Sequence, residues 1–151
     1  MMPKQIVFAL VTFFHDLFTV AWVGGLLTLG LVVVPTTSRV LGRTPNTRQL
    51  LAAIRERLSR VVYVCIVGLA VTGILLSQRA PGFQGLWRFG SSYGVALGIK
   101  HVLYLLMVAI ALVRSLALRQ NEKAQMALLY LNLALGVIAL LLSGFSAALG
   151  G

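Results

Sequence analysis

Four stretches of the chain run almost without polar interruption: residues 5–34, 60–78, 94–117 and 124–149. Each reaches the roughly 20 apolar residues with which an α-helix crosses the hydrocarbon core of a bilayer. Between them the pattern changes. The segment PTTSRVLGRTPNTRQ, residues 35–49, is polar and reads as a loop, entered at Pro35, which cannot continue a helical hydrogen-bond ladder. Pro3 suits the first turn of the first helix. In LLAAIRERLSRVV, Leu50, Leu51, Ile54, Leu58 and Val61 recur at helical spacing among arginines, so the second helix begins outside the bilayer and runs into it. SQRAPGFQGLWRFGSSYG has the glycines, Pro81 and aromatic residues of a turn at headgroup level, with Ser91 and Ser92 available to cap the third helix. RQNEK is a short turn before the fourth.

Short connections favour antiparallel neighbours, so the pattern predicts an all-α, up-down-up-down bundle of four membrane-spanning helices in one domain, residues 1–151. The first apolar run is about twice the length of a signal-peptide core and reads as a retained span. Composition agrees: 59% of residues are hydrophobic and the mean hydropathy is +0.95.

A net charge of +10 raises the question of nucleic acid, but the charges divide by side. Arg39, Arg43, Arg48, Arg55, Arg57, Arg60, Arg114, Arg119 and Lys123 fall at one end of the bundle, against Lys4, Arg79, Arg88 and Lys100 at the other. The positive-inside bias accounts for this with both termini outside and the basic loops in the cytoplasm of an inner (plasma) membrane protein, so no nucleic-acid partner is expected. Cys65 stands alone within a span, which leaves no disulfide framework and suggests packing.

The chemistry that stands out is histidine. There are two, His15 and His101, and each comes about nine residues after its span begins, roughly 13 Å below the outer end. In a bundle of sequential neighbours the first and third helices are diagonal, so inward-pointing imidazoles at one depth could share a metal, or hold a haem b as paired axial ligands. Thr12, Thr19, Trp22 and Leu26 share the helical face of His15; Gly94, Gly98, Leu105, Val108 and Leu112 share that of His101. The two glycines would clear a slot for a ring, although GVALG is also a helix-packing spacing. Trp22 and Tyr104 would pack on the ring edge, and Arg79, Arg88 or Lys100 would neutralise propionates. Asp16 and Lys100 adjoin the two histidines and could bridge the helices, or Asp16 could relay protons. On the fourth helix, Gln125, Asn132, Gly136 and Ser143 form a stripe that reads as helix-to-helix glue. Met107 and Met126 are scattered, without the clustered spacing that soft Cu(I) sites favour.

His15, Trp22, Gly24 and Gly25 on the first helix and His101 on the third resemble the CopD-like group of four-helix membrane proteins. The chain is similarly close to the HemJ-type protoporphyrinogen oxidases, whose first helix carries a His-x6-Trp-x-x-Gly pattern, here His15, Trp22 and Gly25. The HemJ-type resemblance implies haem binding and oxidation of protoporphyrinogen IX; the CopD-like resemblance implies copper import or resistance. The residues by themselves point to a small membrane cytochrome b, moving one electron at a time between a membrane quinol and an external acceptor, with a homodimer through the glycine faces as a further expectation.

Overall fold

A computed structural model of the protein describes residues 3–78, 92–116 and 121–150. The first span is a continuous rod made of α1 (Pro3–Leu27), a π-helical turn (Thr28–Val33) and α2 (Val34–Leu41); α3 (Pro45–Ser77), α4 (Ser92–Leu116) and α5 (Glu122–Gly150) follow. All four rods are long and apolar enough to cross a membrane. The protein is an all-helical, multi-pass membrane protein whose setting is the lipid bilayer.

The expected stop at Pro35 does not occur. A π-turn pairs each N–H with the carbonyl five residues earlier, as Val34 N–H does with the Leu29 carbonyl. Pro35 has no N–H to return to Gly30, and the hydroxyl of Tyr130 on α5 donates to the Gly30 carbonyl instead, at 3.1 Å. The orphan left by proline is satisfied across the bundle, and the helix runs on to Leu41. The expected loop of 35–49 shrinks to a tight connection. Gly42 closes the first rod at a φ of 67°, and Thr44 caps α3 by accepting from Thr47 N–H, with Pro45 in the first turn. The Ser91 cap expected for α4 lies outside the described residues.

Helix α1 packs on α3 and on α5, α4 packs on α5 and on α3, and α1 and α4 are diagonal among the described residues. The core gathers Trp22, Val23, Leu26 and Leu29 of the first rod with Val62, Cys65, Met107, Leu129 and Leu133. Large apolar side chains such as Phe13, Val20, Val64, Val71 and Leu141 face outward, as a lipid solvent allows. With no water to expel between helices, close approach of backbones does the packing. Gly68 of α3 lies directly beneath the Phe18 ring; a Cβ on Gly136 of α5 would come within 3.2 Å of Val23 and 3.3 Å of Met107. Gly25 and Gly30 likewise face Leu58 and Tyr130. These four glycines are packed against neighbouring helices within one chain.

Candidate functional site

His15 projects from α1 toward α3. Its Nδ1 lies 2.9 Å from Thr72 Oγ1, and its Cε1 rests beside Gly73, where a Cβ would sit 3.6 Å away. The Thr72 hydroxyl has one proton, and it donates that proton to the Gly68 carbonyl at 2.7 Å. Thr72 Oγ1 is therefore the acceptor and His15 Nδ1–H the donor. His101 reaches the same state by another route: its Nδ1 is 2.7 Å from the Leu97 carbonyl one turn back, and a carbonyl only accepts. In the neutral form of each ring, these contacts put the proton on Nδ1 and the lone pair on Nε2. Histidine metal ligands are prepared in this way.

The remaining expected residues divide. Thr19 is on the His15 face and its hydroxyl is spent on the His15 carbonyl at 2.8 Å. Thr12 is exposed and bonded back to Phe8. Trp22, 1% exposed, meets Tyr104 edge-on with ring centroids 6.0 Å apart, across the diagonal. Tyr104 donates to the Ile66 carbonyl of α3 at 2.6 Å, so the pair forms a floor beneath the histidine level. Gly98 is buried on α4. Leu105 and Leu112 are exposed, so the His101 face lies on the flank of the α4 seam rather than at its centre, which runs through Tyr104, Met107 and Ile110. The geometry turns His15 toward its neighbour α3, not straight across the core as the wheel suggests. Asp16 is exposed, and its charge and that of Lys100 both act on the His15 imidazole. Arg79 and Arg88 lie outside the described residues, and Gly94 falls in the first turn of α4. No cluster of three or more His, Cys, Asp or Glu occurs among the described residues.

A second polar region went unseen in the sequence. Toward the arginine-bearing end, a cavity of about 400 Å³ opens among all four rods, with Trp22 and Asn132 at one end and Arg55, Ser59, Tyr63 and Arg114 on its walls. Asn132 is fully buried and neither amide atom has a hydrogen-bond partner. That corrects its reading as glue. Gln125 does act as glue, donating to the Arg114 carbonyl of α4 at 2.8 Å, and Gly136 does so by close packing. Arg55 and Arg114, counted only for topology, are the signal that could have pointed here.

Residues 52–149 match the family described as copper resistance protein D, CopD, a range that takes in α4, α5 but for its last residue, and α3 from its third turn onward. The chain belongs to the CopD family. No curated protein and no solved structure matches it. In this CopD-family protein the matched region contains Thr72, His101, Arg55, Arg114 and Asn132, whereas His15 and Trp22 precede it. Membership relates the protein to copper.

Proposed function

We propose that this protein handles copper in the inner membrane, taking the ion as cargo on the Nε2 atoms of His15 and His101. The observation that supports this is the tautomer: two imidazoles on separate helices, each with its Nδ1–H tied down, each presenting a lone pair. Imidazole is a good ligand for copper, and a partner on the far nitrogen orients the ring and raises its basicity. Thr72 does this for His15 and the Leu97 carbonyl for His101. Trp22 and Tyr104 close the core below, so an ion at this level is separated from the opposite end of the bundle. The exposed carboxylate of Asp16, one residue from His15, supplies a negative charge that draws a cation to this depth.

The same two lone pairs suit the iron of a haem b, which would supply one-electron chemistry with a quinone and an external redox partner, with Lys100 as a counter-charge and Asp16 as a proton relay. Family membership favours copper. The experiment is a Cu(I) titration of the detergent-purified chain against a chromophoric chelator, with an absorption spectrum of the same sample. One Cu(I) per chain, lost in both His15→Ala and His101→Ala and with no Soret band, is the expected result. A Soret band that both substitutions abolish would transfer the site to haem, and copper binding indifferent to both would remove the histidines from the function.

A further inference from the structure

The cavity at the arginine-bearing end has the wrong sign for a copper ion. Arg55 and Arg114 both line it and act on each other as like charges. The carboxylates on its rim are engaged with other arginines: Glu56 accepts from Arg60 at 2.9 Å, and Glu122 lies 3.8 Å from Arg48. Arg55 spends its Nε on the Leu51 carbonyl of its own helix, at 3.2 Å. Among the described residues neither Arg55 nor Arg114 has an acidic partner. The Arg114 Nε–H is buried without an acceptor, and so are the Trp22 Nε1–H and the Asn132 amide, both lining the same cavity and both at 1% exposure or less. Such groups are costly in a membrane interior unless something pairs with them.

The orphans are mostly donors. One amide oxygen stands against the N–H groups of an indole, a guanidinium and an amide, with two guanidinium charges above them, so the complement is an acceptor-rich anion. The hydroxyls of Ser59 and Ser115 also line the cavity but donate to the Arg55 and Leu112 carbonyls, and Tyr63 is bonded to Ser115, so the donors left for a ligand are the guanidinium, indole and amide groups. Asn132 lies ten residues into α5, roughly 15 Å from its start. Leu26, Leu29, Leu58 and Val62 make the inner wall apolar. Planar guanidinium groups recognise phosphate oxygens in pairs, and basic pockets between spanning helices on the cytoplasmic side hold lipid headgroups.

We propose that this cavity is a phosphate-binding site, in which Arg55 and Arg114 clamp a phosphoryl group while Trp22 and Asn132 meet the part of the ligand that enters the core. The phosphoryl group comes either from an anionic phospholipid of the adjoining leaflet or from a free phosphate. Two probes on the full chain in detergent separate the sources. Native mass spectrometry with phosphatidylglycerol against phosphatidylcholine reads the lipid arm, and thermal unfolding with added inorganic phosphate reads the free arm. The expected result is binding of one probe that Arg55→Gln weakens about tenfold, as loss of a charge-assisted hydrogen bond implies, while Arg57→Gln, exposed and off the cavity, leaves it unchanged. Equal losses in the two variants, or retention of both lipids alike with no response to phosphate, would overturn the site and leave the cavity to water. Should Arg55→Gln fail to fold, the wild-type phosphorus NMR spectrum decides: a broadened or shifted resonance for either probe supports the site, and an unperturbed line for both overturns it.

Discussion

On the proposed copper reading, Thr72 prepares His15 to receive the ion, and Thr72→Val isolates that contribution. Valine matches threonine in shape and keeps the β-branch, so α3 and its packing on α1 are retained while the acceptor disappears. The His15 Nδ1–H then loses its partner at a half-buried position, and leaving a donor unpaired costs about 1–3 kcal/mol. The proton is also released from Nδ1, so the lone pair is no longer fixed on Nε2. Loss of such a partner typically weakens metal binding by about 10- to 100-fold, equivalent to roughly 1.4–2.8 kcal/mol. Competition of a chromophoric chelator for Cu(I) measures the effect directly, and Thr72→Ser, which keeps the hydroxyl, is expected to restore wild-type affinity. If Thr72→Val binds Cu(I) as tightly as wild type while His15→Ala does not bind, the tautomer argument fails even though His15 is a ligand.

The fold makes its own predictions. Gly68→Ala drives a methyl group into the Phe18 ring and is expected to cost about 1–3 kcal/mol by overpacking, measured by thermal unfolding in detergent and relieved by Phe18→Leu. Gly144→Ala has nothing within 4 Å of the added carbon and is expected to be neutral or to stabilise by up to about 1 kcal/mol, so an equal loss at both glycines would refute the packing explanation. Tyr130→Phe removes the hydroxyl that donates to the Gly30 carbonyl and should destabilise by about 1–3 kcal/mol, while Pro35→Ala, which restores an N–H there, should recover part of that loss in the double variant. Asn132→Leu removes two unpaired polar atoms from the core and is expected to raise the unfolding temperature in phosphate-free detergent.

Apolar windows revealed the four spans because in lipid the length and continuity of a helix are written in hydropathy alone. The connection between the first two was harder to read. Pro35 signals a helix end locally, and what lets the helix pass is a tyrosine nearly a hundred residues later. Thr44 with Pro45 and Thr47 was a legible cap that the surrounding polar residues obscured. The helical wheel placed His15 with Trp22 and Leu26 correctly, since all three lie on the α1 seam; it grouped His101 with Leu105 and Leu112, which face outward, because a wheel fixes relative phase and not which neighbour a face meets. The arginine cavity was invisible for a different reason. Positive charge near a helix end is fully accounted for by topology, and only the unpaired donors beneath it distinguish a site from a flank.

The π-turn at Thr28–Val33 gives the first rod an angular setting. Its hydrogen bonds reach one residue farther than those of an α-helix, so the segment holds an extra residue, and one residue is about 100° of rotation about the axis. Deleting a single residue there would leave a smoother helix of ordinary geometry, yet everything toward the N-terminus would turn with it relative to α2. His15 would swing from Thr72 toward the lipid, and Trp22 would leave its place against Tyr104. The alignment of the histidine with its partner is thus stored some four turns away, in the count of residues between the seam of α1 and the end of the rod.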